Sequence, residues 1–222
     1  MGAENLNSRV LSAYFFRFRR DAHQLLAWGY EDSLTQIHCD LEEEEITGLI
    51  VEAMRKRLRR LVNPNLPERF DRYFVDEERL VSVEGRTGKR RRRLDIVVES
   101  SLNYLRPEYI FEAKRLRKNG YPIGEYVGKD GLQCYIKEIY ASKYPEAAMV
   151  GYIQSDAATY WENELKRRFN HDPSNDLCIK QILQKTQVIT SLPDAWVSEH
   201  ERVASGSITV YHIFLNCSAS ST

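Results

Sequence analysis

Two carboxylates and one amine lie within apolar segments near the middle of the chain. Asp95 belongs to the run 92–98, and Glu112 and Lys114 belong to the run 109–114. Both runs are short and rich in β-branched or aromatic residues, so we predict two strands of a hairpin joined by the turn-forming residues 100–107. Buried charges are costly unless they are paired or bound to a metal. The position of these three side chains therefore needs a chemical reason.

Strand geometry brings the three groups together. Side chains alternate across a strand, so Glu112 and Lys114 point to the same face. If the two strands pair antiparallel, Asp95 lies beside Glu112. Two carboxylates and the carbonyl of Ala113 form a set of hard oxygen ligands that suits Mg²⁺ or Mn²⁺. The Lys114 amine could then orient a metal-polarised water or stabilise charge that develops on a phosphate. A structural cross-strand ion pair is the alternative, but it would not need the second acid.

The pattern Asp, connection, Glu-x-Lys resembles the PD-(D/E)XK nuclease superfamily. Leu94-Asp95 takes the place of the "PD" pair, and Glu112-Ala113-Lys114 matches the second half of the motif. The resemblance covers residues 40–156. It implies an α/β, restriction-endonuclease-like core, which is a central mixed β-sheet flanked by helices. It also implies a Mg²⁺- or Mn²⁺-dependent nuclease that hydrolyses phosphodiester bonds, with DNA as the expected substrate and restriction, repair or phage defence as the expected setting.

The resemblance also implies two further site residues. The first core helix of the superfamily supplies an additional glutamate to the metal site. Here the acidic run 42–45 opens a predicted helix that begins at Asp40, and the apolar face projected back one turn falls between Glu42 and Glu43. Of these two we expect Glu43 to reach the metal. Capping and dipole complementation alone are the alternative for this acidic run. Gln133, on a predicted helix over 132–142, is the candidate for a polar group near the metal, and an ordinary surface glutamine is its alternative.

Basic residues flank the predicted site and could bind nucleic-acid phosphates. They are Lys89, Arg90, Arg91, Arg92, Arg93 and Arg115. A solvated hairpin tip is the alternative for the first five. The neighbouring run 85–89 has too short a glycine spacing for a P-loop, and no Ser or Thr follows its lysine, so we exclude nucleotide binding there.

Composition limits the remaining possibilities. Lys plus Arg and Asp plus Glu both total 32, so nucleic-acid binding would depend on local patches rather than on net charge. The four cysteines are scattered and indicate neither a zinc site nor a disulfide framework. No segment has the length or composition of a signal peptide or a membrane span. We therefore expect a cytoplasmic protein that acts on nucleic acid, as a homodimer or with partner subunits, and has no membrane contact.

The segments outside the motif complete one α/β domain. We expect an N-terminal helical extension over residues 1–39, a nuclease core over 40–170, and a C-terminal helix and strands over 171–222 that complete the same domain. The remaining predicted elements are helices over 6–28 and 178–187, strands over 73–75, 80–83, 147–153 and 208–215, and a helix capped by Ser155-Asp156 that ends near Phe169. His200 and His212 are interpreted as structural, with a role in chemistry as the alternative. A non-catalytic binding subunit that kept the nuclease fold is the alternative function.

Overall fold

The computed structural model describes residues 2–81, 92–101 and 106–219, and for residues 2–12 and Val81 it describes the backbone only. Five α-helices and seven strands follow one another along these residues. The helices are α1 (Gly2–Ser33), α2 (Glu43–Arg57), α3 (Ile123–Tyr126), α4 (Gln133–Ile136) and α5 (Ala158–Asn170). The strands are β1 (Tyr73–Val81), β2 (Arg92–Ser100), β3 (Glu108–Leu116), β4 (Glu146–Ile153), β5 (Ile179–Thr186), β6 (Ala195–Arg202) and β7 (Gly206–Asn216).

All seven strands form one mixed sheet in the order β1-β2-β3-β4-β7-β6-β5. The ladders β1/β2 and β2/β3 are antiparallel, whereas β3/β4 and β4/β7 are parallel. The pairs β7/β6 and β6/β5 are again antiparallel. The expected α/β class with a central mixed sheet flanked by helices is therefore confirmed.

Two hydrophobic cores lie on opposite faces of this sheet. On one face, α1 and α2 pack on residues such as Ile96, Phe111 and Val150. On the other face, α3, α4 and α5 pack on residues such as Val97 and Met149. The alternation of buried side chains along each central strand supplies both cores, as expected for a sheet that is covered on both sides. Among the described residues, no helix is long and apolar enough to cross a membrane.

The first helix was predicted over 6–28, so that Gly29 would end it, but the helix does not end there. The helix α1 continues to Ser33, and a Cβ atom at Gly29 would lie only 2.5 Å from Met54 Cγ and 2.6 Å from the Ile50 carbonyl oxygen of α2. The glycine therefore allows α1 and α2 to pack closely. It has a packing role rather than a terminating one.

Helix starts also differ from the predictions. The helix α2 begins at Glu43 with Glu42 as its N-cap, so Asp40 does not start it. The Glu42 amide donates to Glu45 Oε2 at 2.8 Å, which is half of a capping box. Similarly, α5 has Ala157 as its N-cap, because the Ser155 hydroxyl donates to the Asp156 carboxylate instead of capping the helix.

Two predicted helices are wrong in extent or type. The predicted helix over 132–142 is only one turn, α4, because Glu138 and Ala141 have positive φ angles of 58° and 52°. The segment 178–187 is the strand β5 instead of a helix. Register shifts between Ile179 and Gln184 disrupt its pairing with β6, and these irregularities hide the period of two that identifies a strand. The two predicted runs 73–75 and 80–83 belong to a single strand, β1, as far as Val81, and residues 82 and 83 lie outside the described part.

Candidate active site

The candidate site lies where β2 and β3 separate. Their ladder ends at the pair Ile96 and Phe111, so the next amides of β3 on this side have no strand partner. Two carboxylates take the place of the missing strand. Asp95 Oδ2 accepts from the Ala113 amide at 2.6 Å, and Glu43 Oε2 accepts from the Arg115 amide at 3.0 Å. Both acids are thus fixed to β3 by its own backbone.

The amine of Lys114 lies among these acids. Its Nζ atom is 2.9 Å from Glu43 Oε1, 3.1 Å from Glu112 Oε1 and 3.9 Å from Asp95 Oδ2. It also donates to its neighbouring carbonyl, Ala113 O, at 2.6 Å. A lysine ammonium has three donors, and the three shortest contacts use all of them. The atoms around the ammonium belong to the four residues predicted to hold a metal ion.

Burial and charge together perturb the ionisation of this cluster. Burial raises the pKa of Asp95 to about 6, although Lys114 and the Ala113 amide partly offset the effect. Burial and the neighbouring Asp95 raise the pKa of Glu112 well above its usual range. Burial alone would lower the pKa of Lys114, but the three carboxylates outweigh it and raise that pKa. Lys114 is therefore an ammonium throughout the physiological range, whereas Asp95 and Glu112 resist ionisation.

The donor set fits a hard divalent cation in its chemistry. Glu112 is only 3% exposed, and its Oε2 atom is buried without a hydrogen-bond partner. An unpaired buried carboxylate oxygen costs free energy that a cation could recover. In the described part of the chain, no three His, Cys, Asp or Glu side chains already stand as a metal cage. The carboxylates at the fork between β2 and β3 do not form such a group because the Lys114 ammonium lies between them.

Gln133 is placed differently from the other predicted site residues. It lies in α4 and is buried, and its Oε1 atom accepts from Lys137 Nζ at 2.8 Å. Among the described hydrogen bonds, it has none to Glu43, Asp95 or Glu112. The structure therefore brings together Glu43, Asp95, Glu112 and Lys114 from α2, β2 and β3, whereas the described hydrogen bond of Gln133 is to Lys137.

The basic residues that the structure describes are mostly engaged with the protein. The Arg92 guanidinium donates to the Lys129 carbonyl at 3.3 Å and pairs with Asp130 at 2.9 Å, and only 14% of its side chain is exposed. Arg93 pairs with Glu78, but about half of its side chain is exposed. The predicted phosphate contacts Lys89, Arg90 and Arg91 lie outside the described residues.

Arg115 lies at the edge of the cluster. Its guanidinium pairs with Glu42 at 2.6 Å and stacks 3.8 Å from the centre of the Tyr121 ring. The cation is therefore held one residue beyond Lys114, with its charge partly balanced by an exposed acid.

Two residues that position Glu43 were not predicted from the sequence. Gln154, at the end of β4, donates from Nε2 to the Leu41 carbonyl at 2.7 Å, just before α2. Thr47 in α2 hydrogen-bonds the Tyr152 hydroxyl at 3.0 Å. Both contacts fix the start of α2 against β4, and hence fix Glu43. The available signal was a polar residue directly after an apolar strand, at the strand end where α/β sites occur.

His200 and His212 lie far from solvent in a hydrogen-bonded chain. Ser198 Oγ is 2.7 Å from His200 Nε2 and 2.8 Å from His212 Nε2, and the Tyr126 hydroxyl is 3.0 Å from His212 Nδ1. Both rings are fully buried, and burial lowers both pKa values. The two rings share Ser198 as a hydrogen-bond partner, and neither has a described hydrogen bond to Glu43, Asp95 or Glu112.

The chain matches no model of a known protein family, no curated protein and no solved structure. Any function assigned to the fork therefore depends on the residues and geometry described above.

Proposed function

We propose that this protein is a metal-dependent nuclease that hydrolyses phosphodiester bonds, with DNA as the expected substrate. One observation carries the proposal. Carboxylates from three separate elements, α2, β2 and β3, meet at the fork between β2 and β3 around a single lysine amine. A structural ion pair needs one acid for one base. Three acids around one amine leave an excess of negative charge that requires another cation.

The charge balance favours a divalent ion. Three ionised carboxylates and one ammonium would sum to a charge of −2. Burial, with a smaller contribution from the neighbouring carboxylates, raises the pKa values of Asp95 and Glu112, and a divalent ion would favour their ionised forms. Asp95, Glu112, the Ala113 carbonyl and Glu43 are the groups that would hold Mg²⁺ or Mn²⁺. A bound ion would supply Lewis acidity toward a phosphate oxygen and a more acidic water.

Lys114 would act as a charged hydrogen-bond donor in this site. Its raised pKa keeps it protonated, and an ammonium can hydrogen-bond a phosphate oxygen or orient a water molecule. Its present partners are Glu43, Glu112 and the Ala113 carbonyl, so it would exchange at least one of them for the substrate. The lysine side chain is mostly buried, which keeps the ammonium close to the acids during this exchange.

The topology also supports the proposal. A helix carrying Glu43 comes first, followed by the antiparallel strands β1, β2 and β3, the one-turn helices α3 and α4, and then β4 parallel to β3. The resemblance to the nuclease superfamily implies a core in the order strand, hairpin, helix, strand and helix, and this order of elements is compatible with it. The helix between β3 and β4 is much shorter than expected, which is the main departure.

A non-catalytic subunit with the same fold is the second candidate. One observation favours it: all three donors of Lys114 are already satisfied, so the cluster is internally bonded as a structural ion cluster would be. In that case the acids would fix α2 to the sheet and would not bind a metal.

A cleavage assay separates the two candidates. The purified protein should cut single-stranded or duplex DNA with Mg²⁺ or Mn²⁺, and EDTA should stop the reaction. Asp95→Asn and Glu112→Gln should each abolish cutting while leaving DNA binding intact. Glu44→Gln, an exposed acid one residue after Glu43, is the matched control and should cut normally. Cutting at the wild-type level by both Asp95→Asn and Glu112→Gln would exclude the proposed nuclease site.

A further inference from the structure

A groove of about 370 Å³ lies just beyond the candidate active site, between the turn after β3 and the first turn of α5. Lys118, Pro122 and Ile123 line one side, and Tyr160 and Glu164 line the other. Lys118 is four residues beyond Lys114, so its Cα atom is at most about 14 Å from that of Lys114. The groove is therefore within a few nucleotides of a phosphate bound at the fork.

The wall formed by the turn is held in place. Arg117 and Tyr121 exchange backbone hydrogen bonds of 3.0 and 2.9 Å, and the Lys118 amide donates to Ser155 Oγ at 2.8 Å. These bonds tie the turn to the segment between β4 and α5. The Lys118 side chain remains exposed, with its ammonium 5.3 Å from the centre of the Tyr160 ring.

The lining of the groove carries one cation and one acid, and a second cation lies beside it. Lys118 forms no ion pair with the described residues, and the acid of the lining, Glu164, is paired with Arg167 at 2.7 Å. Arg168 lies against Gly124, where a Cβ atom would come within 2.7 Å of its Nη2 atom. The absence of a side chain at Gly124 thus leaves room for this exposed guanidinium. Lys118 and Arg168 are both available to an anionic ligand.

An aromatic ring completes the groove. Tyr160 is half-buried and packs edge-on against Trp161, with ring centres 5.1 Å apart. Trp161 is itself buried, and its Nε1 atom donates to the Ser155 carbonyl at 2.7 Å. The Tyr160 ring is therefore oriented by a fixed neighbour. A pre-oriented ring stacks on a planar ligand at little cost in conformational entropy.

We propose that this groove binds an unpaired nucleotide of the substrate, with its base against Tyr160 and its phosphate on Lys118. The inference rests on the proposed nuclease function and specifies the substrate as a single-stranded or frayed nucleic acid. Cationic grooves with aromatic rings bind single strands because bases have exposed faces to stack, whereas the bases of a duplex are already stacked on one another. Arg168 supplies a second contact for the backbone.

Binding and cleavage are measured separately to test this inference. Fluorescence anisotropy in EDTA, where no cutting occurs, gives the affinity for three probes: an oligothymidylate of about 12 nucleotides, an abasic oligonucleotide of the same length, and a hairpin duplex. We expect the protein to bind the oligothymidylate more tightly than the other two. Tyr160→Ala should weaken binding of oligothymidylate by about fivefold or more and leave binding of the abasic probe unchanged.

Matched variants distinguish stacking, charge and folding. Tyr160→Phe keeps the ring and should bind like the wild type, whereas Tyr160→Leu keeps apolar bulk against Trp161 and should bind like Tyr160→Ala. Lys118→Ala should weaken binding of both oligonucleotides and reduce the salt dependence. Lys166→Ala removes an exposed lysine of α5 that is paired with Glu162 and should have little effect on either.

Three results would overturn the inference: unchanged affinity of Tyr160→Leu for oligothymidylate, equal wild-type affinity for the abasic probe, or preference for the duplex. If any of these occurs while the wild type still cuts DNA and Asp95→Asn does not, the inference fails alone. If the wild type neither binds nor cuts nucleic acid, the inference and the proposed function fail together.

Discussion

Replacing Asp95 with asparagine should stabilise the protein while it destroys the proposed activity. Asparagine has nearly the shape of aspartate, and its side-chain oxygen can still accept from the Ala113 amide, which donates to Asp95 Oδ2 at 2.6 Å. Its amide group can donate toward the neighbouring Glu112. The substitution therefore keeps the local hydrogen bonds and removes one of the three negative charges.

The expected size of the effect follows from the pKa of Asp95. The fork raises it from 3.8 to about 6, so the folded protein holds this proton more tightly than the unfolded chain does. The resulting stabilisation is complete below about pH 4 and is lost as the pH rises through about 6. A shift of about two pKa units corresponds to at most about 3 kcal/mol. Above about pH 7, Asp95→Asn should be more stable than the wild type by up to this amount.

Urea unfolding followed by tryptophan fluorescence measures the difference. The titration is run in EDTA at about pH 4.5 and about pH 8, and the stability gain should appear mainly at the higher pH. Glu52→Gln, an exposed acid in the middle of α2, is the control and should show no comparable pH-dependent gain. Adding Mg²⁺ at the higher pH should stabilise the wild type more than Asp95→Asn, because only the wild type keeps the full ligand set.

Two outcomes would refute this reasoning. If Asp95→Asn is less stable than the wild type at about pH 8, the carboxylate is well neutralised by Lys114, and the fork has no excess negative charge. If the gain is the same at both pH values, it does not arise from the ionisation of Asp95.

Three further predictions concern other parts of the structure. Glu43→Gln should lower cutting at limiting Mg²⁺ by about tenfold or more, whereas Glu45→Gln should cost little stability, because the glutamine oxygen can still accept from the Glu42 amide, and should leave cutting intact; a metal titration of both variants decides the matter. Arg92→Ala should lower the free energy of unfolding by about 1–2 kcal/mol, because it releases the 129–130 turn, and should not change the salt dependence of DNA binding. Unchanged stability in urea unfolding together with a smaller salt dependence in anisotropy would instead assign Arg92 to DNA binding. The buried His212 has a lowered pKa, so its own contribution to stability should fall as the pH drops below about 6.5, opposite in sign to that of Asp95, and His212→Gln should remove that contribution from the pH dependence of the urea midpoint; an unchanged pH dependence would assign the acid sensitivity to other groups.

The local part of the site was accessible from the sequence because it depends on short-range geometry. Glu112 and Lys114 share a face through the period of two in a strand, and Asp95 needed only a hairpin register. The contribution of Glu43 required a helix phase, which is also set by nearby residues. The hydrogen bonds that Asp95 and Glu43 accept from β3 could not be read in this way, because they arise from the divergence of two strands.

Features that depend on distant packing were missed. The role of Gly29 is visible only when Met54 and Ile50 are placed against it. The strand β5 was mistaken for a helix because its register shifts obscure the alternation of buried residues. Gln154 donates a hydrogen bond to the Leu41 carbonyl, 113 residues away in the sequence, and no local sequence pattern predicts such a partner.

Asp95 and Glu43 also have a structural role, because each accepts a hydrogen bond from a backbone amide of β3. An unpaired row of strand amides inside a sheet is a template on which another chain can add, which leads to self-association. The carboxylates cover the amides of Ala113 and Arg115 and so block that addition. Alanine at position 95 or 43 would uncover one of them, whereas asparagine or glutamine would keep it covered. Alanine variants at positions 95 and 43 should consequently aggregate more readily than the asparagine and glutamine variants, whether or not these acids bind a metal.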